Sequence, residues 1–427
     1  MWIRIDKALS IPPDVRLVLG IMSDAGFEAF LVGGCVRDSL RGVVHTRDFD
    51  VATNAKPSDI QGMFPKAIEV GKAFGVFKLM TPSGQDIEIA TFRKEGEYRD
   101  HRHPSKVEFT DVASDSARRD FTINALYYDP RTTQVLDLHG GLADLQQKVI
   151  RAIGNPEKRL NEDSLRLLRA VRFAARFEFT IEEQTRAALL KLSPLIRKIS
   201  IERVRDELEK MITHASCRAA MIELDAVGLL ENVLPEISVG KLNQKKVWDQ
   251  TLRVLTNLGQ YRSIEQSSFY WGALFLPTLR LHPIEKRDQE ARKLGSRLKL
   301  SNDVIEQMAY LVRETPKFKD AFSMRESTLM RWMREPNFEL LMRFHELDAF
   351  TYDGNSAGLE FVKSIYTEAK RKFQNKPLLT GDDLVKLGMN PGRQFTEILR
   401  EVEDQAYEGK LTTNQEALDY VLKHFVK

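Results

Sequence analysis

The spacing of apolar residues changes near residue 140 of this 427-residue chain. Before that point, short runs alternate apolar and polar residues, as is typical of half-buried strands. After it, apolar residues recur every three or four positions, as in amphipathic helices. The pattern predicts a mixed α/β part at the N-terminus followed by a long all-α part.

Five strands are predicted in the first part. They cover the apolar runs Ala29–Val32, Asp48–Ala52, Val76–Met80, Asp86–Thr91 and Ala125–Tyr128. The turn formers Thr81–Gly84 connect the third and fourth runs, which predicts a β-hairpin. The charged segment Lys94–Phe109 contains a proline and is predicted to be a mobile loop.

The second part is predicted to be helical. The clearest periodic segments are Asn161–Glu178, Ile181–Lys191, Ile201–Ile212, Arg218–Val227, Gly381–Leu387 and Arg393–Glu408, together with Trp248–Lys319, which is expected to break near Pro277 and Pro283. Such spacing places one apolar stripe on each helix against a shared core.

Composition excludes several classes of protein. The chain is 42% hydrophobic and 29% charged, and its net charge is only +3. No apolar run approaches the ~20 residues that a membrane helix needs, and the N-terminus lacks a signal-peptide core. The two cysteines, Cys35 and Cys217, lack the spacing of a zinc site, which favours a reduced, cytoplasmic protein.

Paired carboxylates mark the predicted strand that begins at Asp48. Asp48 and Asp50 share one face because strand side chains alternate, and carboxylates roughly 7 Å apart can share divalent cations. Asp86 and Glu88 repeat the pattern on the predicted hairpin, although a solvated strand face explains them equally well. The first pair predicts a metal site for nucleotidyl transfer.

A double glycine precedes these carboxylates. Gly33 and Gly34 follow a short apolar strand, and such a turn lets backbone amides approach a phosphate closely. Arg37 offers a guanidinium to a phosphate oxygen, and Asp38 can orient it. Glycine turn, arginine and carboxylates together predict a nucleotide-plus-metal site.

These residues resemble the head-domain signature of class II tRNA nucleotidyltransferases and the related bacterial poly(A) polymerases of the polymerase-β-like superfamily. The pattern G-G-x-V-R-D is followed by R-D-F-D. Residues 118–126 match the family's R-R-D-F-T-x-N-A-L, and residues 162–166 match its E-D-x-x-R. The resemblance is strong over residues 29–180, weak over 241–375 and recognisable again over 377–408.

The resemblance implies an α+β fold. A polymerase-β-like nucleotidyltransferase head with a small mixed sheet would occupy residues 1–140. An elongated all-α part would follow, with a neck over 141–215, a body over 216–320 and a tail over 321–427 that binds tRNA.

The resemblance also implies roles for single residues. Asp48 and Asp50 would hold Mg²⁺, with Glu88 as a candidate third carboxylate. Besides Gly33, Gly34, Arg37 and Asp38, the implied nucleotide-binding residues are Arg119, Asp120, Asn124, Glu162, Asp163, Arg166 and Arg169. Arg93, Tyr98, Asp100 and Arg102 would belong to a flexible loop that helps the pocket change from C to A.

Two of these residues would select the base. With Asn161 as helix N-cap, Asp163 and Arg166 are expected on one face of a helix. A carboxylate accepts from the exocyclic amine of C or A, and a guanidinium donates to the unprotonated ring nitrogen. U and G present the reverse pattern, so each mismatch costs roughly 1–3 kcal/mol.

The sequence thus predicts an enzyme that adds the 3′-terminal CCA of tRNA from CTP and ATP. Three alternatives remain open: a poly(A) polymerase, an A-adding enzyme that works beside a separate CC-adding enzyme, and a non-catalytic RNA-binding relative. The turn at Gly388–Gly392 before a predicted helix could hold an RNA phosphate or could simply connect two helices.

Overall fold

The computed structural model describes the chain except for residues 7, 44–47, 72–74, 97–105, 244, 353, 355, 374–375 and 427. The chain folds into two compact units, Met1–Leu242 and Asn243–Lys427. Among the described residues, no helix has both the length and the apolar character needed to cross a bilayer. The four-part division expected from the sequence stays a prediction.

The first unit contains the β-structure of the described chain. Its strands are β1 (Trp2–Arg4), β2 (Ala29–Val32), β3 (Asp48–Thr53), β4 (Ile68–Gly71), β5 (Val76–Met80), β6 (Asp86–Thr91), β7 (Arg93–Glu95), β8 (Val107–Phe109), β9 (Leu126–Asp129), β10 (Gln134–Asp137), β11 (Val149–Ile150) and β12 (Thr180–Ile181).

Eight of these strands form one mixed sheet in the order β1-β10-β9-β2-β3-β6-β5-β4. β3 and β6 run parallel, and the other neighbours in this sheet are antiparallel. The predicted hairpin is confirmed, because β5 pairs with β6 across the turn at Thr81–Gly84. The predicted mixed sheet in the N-terminal part is confirmed as well.

The helices of the first unit precede, connect and follow these strands. They are α1 (Pro13–Asp24), α2 (Gly34–Leu40), α3 (Pro57–Met63), α4 (Val112–Ala117), α5 (Gly141–Gln147), α6 (Pro156–Glu162), α7 (Leu165–Phe177), α8 (Glu183–Leu192), α9 (Ile201–Ile212), α10 (Cys217–Ala226), α11 (Leu230–Val233) and α12 (Pro235–Asn243), the last of which ends one residue past the boundary.

Alternation along the central strands decides which side chains reach the functional face of the sheet. Phe49 and Val51 of β3 and Ile87 and Ile89 of β6 lie in one buried apolar cluster. The intervening residues, with Asp50 among them, therefore lie on the opposite face. Burial of the apolar side chains thus fixes where the polar ones point.

The predicted helix Asn161–Glu178 is wrong at its start. α6 ends at Glu162, and α7 begins at Leu165. Asn161 lies inside α6 instead of capping a helix, and Asp163 lies between the two helices. The Asp163 carboxylate accepts from the backbone N–H of Leu165 at 3.1 Å, which supplies a partner for an amide at the new helix start,.

The segment Lys94–Phe109 is not a loop at its ends. β7 pairs antiparallel with β8, from Arg93 opposite Phe109 to Glu95 opposite Val107. The middle of the segment, including Tyr98, Asp100 and Arg102, lies outside the described residues.

All regular secondary structure among the described residues of the second unit is helical. Its helices are α13 (Lys245–Leu258), α14 (Ser267–Leu279), α15 (Arg287–Arg297), α16 (Asn302–Glu314), α17 (Glu326–Met333), α18 (Phe338–Thr351), α19 (Ala357–Phe373), α20 (Gly381–Lys386), α21 (Arg393–Tyr407) and α22 (Asn414–Phe425). The predicted break near Pro277 and Pro283 is confirmed, because α14 ends at Leu279, shortly after Pro277, and α15 begins only at Arg287.

Gly141 allows α5 to approach the segment that carries Asn124. A Cβ at Gly141 would lie 2.3 Å from the carbonyl oxygen of Thr122, which is backbone and cannot swing away. We expect Gly141→Ala to lower the free energy of unfolding by about 1–3 kcal/mol. Urea unfolding monitored by circular dichroism measures this change.

The matched control for this prediction is Gly62→Ala in α3, where a Cβ would meet nothing within 4 Å. Alanine is the better helix former by about 1 kcal/mol, so this variant should be neutral or more stable. Equal unfolding midpoints for the two variants would contradict the crowding argument.

Candidate active site

The parallel pairing of β3 with β6 brings two pairs of acidic residues together. Asp48 lies opposite Asp86 and Asp50 opposite Glu88. This pairing places the carboxylates of β6 beside those of β3. Asp86 forms an ion pair with Lys78 at 2.9 Å. Asp48, Asp50 and Glu88 form no ion pair with any described residue.

Asp50 is the electrostatically strained member of this group. Burial raises its pKa to about 6, and the negative charge of Glu88 adds to the effect. On the same strands, the oxygen Oδ1 of Asp86 is buried without a hydrogen-bond partner. Such crowded carboxylates are stabilised by a bound cation, since it removes the repulsion and supplies the missing partner.

These donors fit a divalent cation. Asp48 and Asp50 present carboxylates from one strand face, which is the hard oxygen donor that Mg²⁺ prefers. Among the described residues, no group of three or more His, Cys, Asp or Glu side chains is arranged to hold a metal by itself. The two carboxylates would therefore hold the cation together with water and substrate oxygens, the usual arrangement for protein-bound Mg²⁺.

Gly33 connects β2 to α2 beside these carboxylates. Its φ of 76° lies in the left-handed region that favours glycine,. A Cβ here would lie 3.2 Å from Oδ2 of Asp50 and 3.7 Å from Nη1 of Arg119. The missing side chain therefore leaves room for a ligand between a carboxylate and a guanidinium.

Arg119 is held from behind by two side chains. Its Nε donates to the hydroxyl oxygen of Tyr127 at 2.9 Å, and its Nη2 donates to Asp115 at 3.1 Å. The Tyr127 hydroxyl in turn donates to Asp115 at 2.6 Å. This support leaves Nη1 directed at the Gly33 turn. Although burial opposes it, the charges of Arg119 and Arg118 hold the pKa of Asp115 at about 2.

A second network joins α2 to α7 through Asp120 and Asn124, two of the implied nucleotide-binding residues. Arg37 donates to both oxygens of Asp38 at 2.9 and 2.8 Å and to the amide oxygen of Asn124 at 2.7 Å. The amide nitrogen of Asn124 donates to Asp120 at 3.0 Å, and Arg169 donates to the other oxygen of Asp120. Despite burial, Arg169 and Asn124 hold the pKa of Asp120 well below its usual range.

Asp163 and Arg166 are not paired with each other through their side chains in this structure. Asp163 accepts from Arg203 of α9 at 3.3 and 3.0 Å. Arg166 donates to Glu162 at 2.9 Å and to the backbone carbonyls of Arg159 and Arg118. The expected neighbour relation on one helix face is therefore wrong, because the helix breaks between the two residues.

A cavity of about 840 Å³ collects most of the predicted residues. This volume is in the range of small-molecule sites. Its wall is formed by Gly33, Gly34, Cys35, Arg37, Asp38, Val43, Asp48, Phe49, Asp50, Lys78, Asp86, Glu88, Arg119, Asp120, Asn124, Arg169, Arg172, Phe173 and Arg176. Glu162, Asp163 and Arg166 are not part of this wall.

Two further residues named in the sequence analysis are held in structural positions. Arg93 donates to Glu95 at 2.9 Å, at the start of β7. Cys35 is buried, and burial with the charge of Asp50 raises the pKa of its thiol to about 12. A thiol so hard to ionise is no nucleophile at neutral pH.

Sequence reasoning missed the residues that position the site. Asp115 lies four residues before Arg119, a spacing that does indicate a helical ion pair and could have been recognised. Lys78 lies across the predicted hairpin from Asp86 and could also have been recognised. Arg203 is distant in sequence from Asp163, so no local pattern indicated it. Tyr127 occupies an apolar position in a predicted strand. The pattern therefore did not indicate that its hydroxyl joins the network.

Three family models of known proteins match this chain. The family described as Poly A polymerase head domain matches residues 29–151. The RNA- and SrmB-binding site of polymerase A matches residues 178–240, and tRNA nucleotidyltransferase domain 2 matches residues 264–422. Fold and site together are those of a nucleotidyltransferase with a poly(A) polymerase head.

Relatives that match nearly the whole chain show which family within this class of nucleotidyltransferases the chain belongs to. The CCA-adding enzyme of Lactobacillus helveticus is 31% identical over 99% of both chains. That of Enterococcus faecalis is 32% identical over 96% of both. The chain belongs to the family of CCA-adding enzymes, whose chemistry implies a divalent metal ion.

Solved structures share the fold. The Bacillus stearothermophilus CCA-adding enzyme in complex with CTP matches 97% of this chain and 98% of its own, with a TM-score of 0.76 and 24% identity. The Thermotoga maritima CCA-adding enzyme complexed with tRNA matches 99% of each chain, with a TM-score of 0.65 and 20% identity. The predicted α+β fold with a helical C-terminal part is thereby confirmed.

Proposed function

We propose that this protein adds or repairs the 3′-terminal CCA of tRNA from CTP and ATP without a nucleic acid template. The observation that carries the proposal is the shared cavity. It contains Asp48 and Asp50, the Gly33 turn, the free Nη1 of Arg119 and the Asp120–Asn124 pair. The full-length relatives named CCA-adding enzymes support the same reaction.

The RNA 3′-hydroxyl would attack the α-phosphate, so that a new O–P bond forms and pyrophosphate leaves. Bound at Asp48 and Asp50, Mg²⁺ would activate the hydroxyl and neutralise charge on the reacting phosphate and the leaving group. The Gly33 turn would admit the triphosphate, and Nη1 of Arg119 would donate to it. The backing by Tyr127 and Asp115 fixes that guanidinium before substrate arrives.

Asn124 and Asp120 would contact the ribose. In the free protein, the Asn124 amide uses one N–H on Asp120 and one oxygen lone pair on Arg37. The second N–H and the second lone pair stay available, so the amide can both donate to and accept from a ribose hydroxyl. The network around it restricts the rotation of the amide.

Base selection by Asp163 and Arg166 would require an exchange of partners. Asp163 must present its carboxylate to the exocyclic amine of the base, either while the carboxylate stays paired with Arg203 or after that ion pair has opened. Arg166 must exchange Glu162 for the ring nitrogen. Arg169 links these residues to the cavity. Although burial opposes it, the charges of Asp120, Glu207 and Asp163 raise the pKa of Arg169 above its usual value.

A single assay separates this function from its alternatives. Purified protein is incubated with Mg²⁺ and a tRNA transcript lacking CCA, and CTP and ATP are supplied singly and together. We expect two additions from CTP alone and a third when ATP is present. Failure to incorporate CTP would refute CCA addition and favour an A-adding enzyme if ATP is used. Long A tails on unrelated RNA would indicate a poly(A) polymerase.

The residues beyond 140 are not all-α as predicted, because β11 pairs with β12, but they are mainly helical. Divided into neck, body and tail as above, they would hold the tRNA by its shape and charge. A cytoplasmic location belongs to the same proposal, and the two buried free cysteines agree with a reducing compartment,.

A further inference from the structure

The cations in the cavity wall are not equally available to a substrate. Five of those in the described wall are paired with carboxylates. Arg37 pairs with Asp38, Lys78 with Asp86, Arg119 with Asp115, Arg169 with Asp120 and Arg172 with Glu207. Arg176 is exposed and has no carboxylate within ion-pair distance among the residues that the structure describes.

Arg176 stands in a cluster of arginines around one aromatic ring. The guanidinium carbons of Arg41, Arg37 and Arg176 lie 4.2, 4.4 and 5.9 Å from the centroid of Phe177. Asp38 is bidentate to Arg37 and only 3.5 Å from Arg41. Asp38 thus pairs with Arg37 and Arg41 but not with Arg176, although all three guanidinium groups face the same ring,.

This excess positive charge acts on its surroundings. Burial lowers the pKa of Arg172, and the charges of Arg169 and Arg176 lower it further, against the opposing effect of Glu207. An anion near Arg176 would relieve this repulsion. Arg172 itself is occupied, since it donates to Glu207 at 2.6 Å in a buried pair.

The position of Arg176 on α7 separates it from the groups expected to hold the nucleotide. Arg169 and Arg176 are seven residues apart on one face, which is about 10 Å along a helix. Arg169 is bound to Asp120 beside the ribose contacts. Arg176 therefore lies on the exposed side of the cavity, away from the groups that would contact the ribose of the nucleotide.

We infer that Arg176 binds a backbone phosphate of the RNA whose 3′-end is extended. The inference rests on the proposed function, because that function brings an RNA strand to this cavity. The triphosphate would bind at Gly33 and Arg119. The RNA strand, in contrast, must enter the cavity from solvent and therefore passes its exposed edge. A guanidinium that breaks no ion pair on binding makes the most favourable phosphate contact.

The test compares Arg176→Gln with the wild-type protein. A fluorescent tRNA lacking CCA is titrated at several salt concentrations, and the KM for CTP is measured with saturating tRNA. We expect weaker tRNA binding and a slope of log Kd against log salt that is smaller by about 0.7–0.9, as for one lost phosphate contact. The KM for CTP should not change.

Two further variants control this experiment. Arg176→Lys keeps the charge and should retain the salt slope of the wild type. Arg131→Gln removes an exposed arginine that is paired with Asp129 after β9, and it should bind tRNA like the wild type.

An unchanged Kd and salt slope in Arg176→Gln would overturn the inference. A raised KM for CTP with unchanged tRNA binding would also overturn it and assign Arg176 to the triphosphate. The proposed function is tested separately, because addition of C and A by the wild-type protein does not depend on these variants.

Discussion

Replacement of Asp50 by Asn is expected to abolish nucleotide addition. The substitution keeps the size of the side chain but removes the charge that would hold the cation next to the Gly33 turn. Bound metal supplies several kcal/mol of transition-state stabilisation, so kcat should fall by about 10³-fold or more. Asp48→Asn should have a comparable effect, because the two carboxylates share one face of β3.

Stability measurements separate this loss from misfolding. Asp50 lies opposite Glu88, and like charges in register destabilise a sheet,. The melting temperature of Asp50→Asn in metal-free buffer should therefore equal or exceed that of the wild type. Asp206→Asn, which changes an exposed carboxylate on α9, is the control and should keep full activity.

The same series decides the role of Glu88. A loss in Glu88→Gln as large as that in Asp50→Asn would assign Glu88 as the third carboxylate, whereas near-normal activity would leave two. The prediction for Asp50 itself would be contradicted by a folded Asp50→Asn protein that adds CMP at more than a tenth of the wild-type rate.

Replacement of Asp163 by Asn is expected to relax the choice of base. Asparagine keeps an oxygen that can accept from the Leu165 N–H, so the start of α7 is preserved,. It also introduces N–H donors, which can pair with the carbonyl oxygens of U and G that a carboxylate rejects. We expect the ratio of kcat/KM for CTP over UTP to fall by about 10- to 200-fold, equivalent to 1–3 kcal/mol.

Arg203→Gln is the companion variant, because it leaves the Asp163 carboxylate in place but removes its ion-pair partner. If Arg203 orients that carboxylate, this variant should lower kcat/KM for CTP without admitting UTP. Thermal unfolding of both variants checks that the junction of α6 and α7 is intact. Discrimination against UTP that survives unchanged in an active Asp163→Asn protein would show that the base is selected elsewhere.

Local patterns in the sequence predicted much of the first unit. The strands Ala29–Val32, Val76–Met80 and Asp86–Thr91 occur at the predicted bounds. The facing of Asp48 and Asp50 away from Phe49 and Val51 followed from alternation alone, since burial of one face leaves the other no choice. The residues that predicted nucleotide and metal binding likewise lie within one short stretch of the chain.

Other features depended on contacts between distant segments. The helix predicted to begin after Asn161 breaks because the Asp163 carboxylate caps the Leu165 amide and pairs with Arg203, forty positions further along the chain. The partners of Arg166 include a backbone carbonyl of Arg118. Periodicity carries no information on such pairs.

The sequence by itself therefore determined which residues share a face within each element, because strand and helix geometry are local. Only the tertiary structure decided which guanidinium each carboxylate accepts. It occupied Arg169 with Asp120 and Arg172 with Glu207 and left Arg176 exposed. A charge without an ion-pair partner can bind a substrate without breaking a contact, and whether a partner reaches it depends on how the segments pack together.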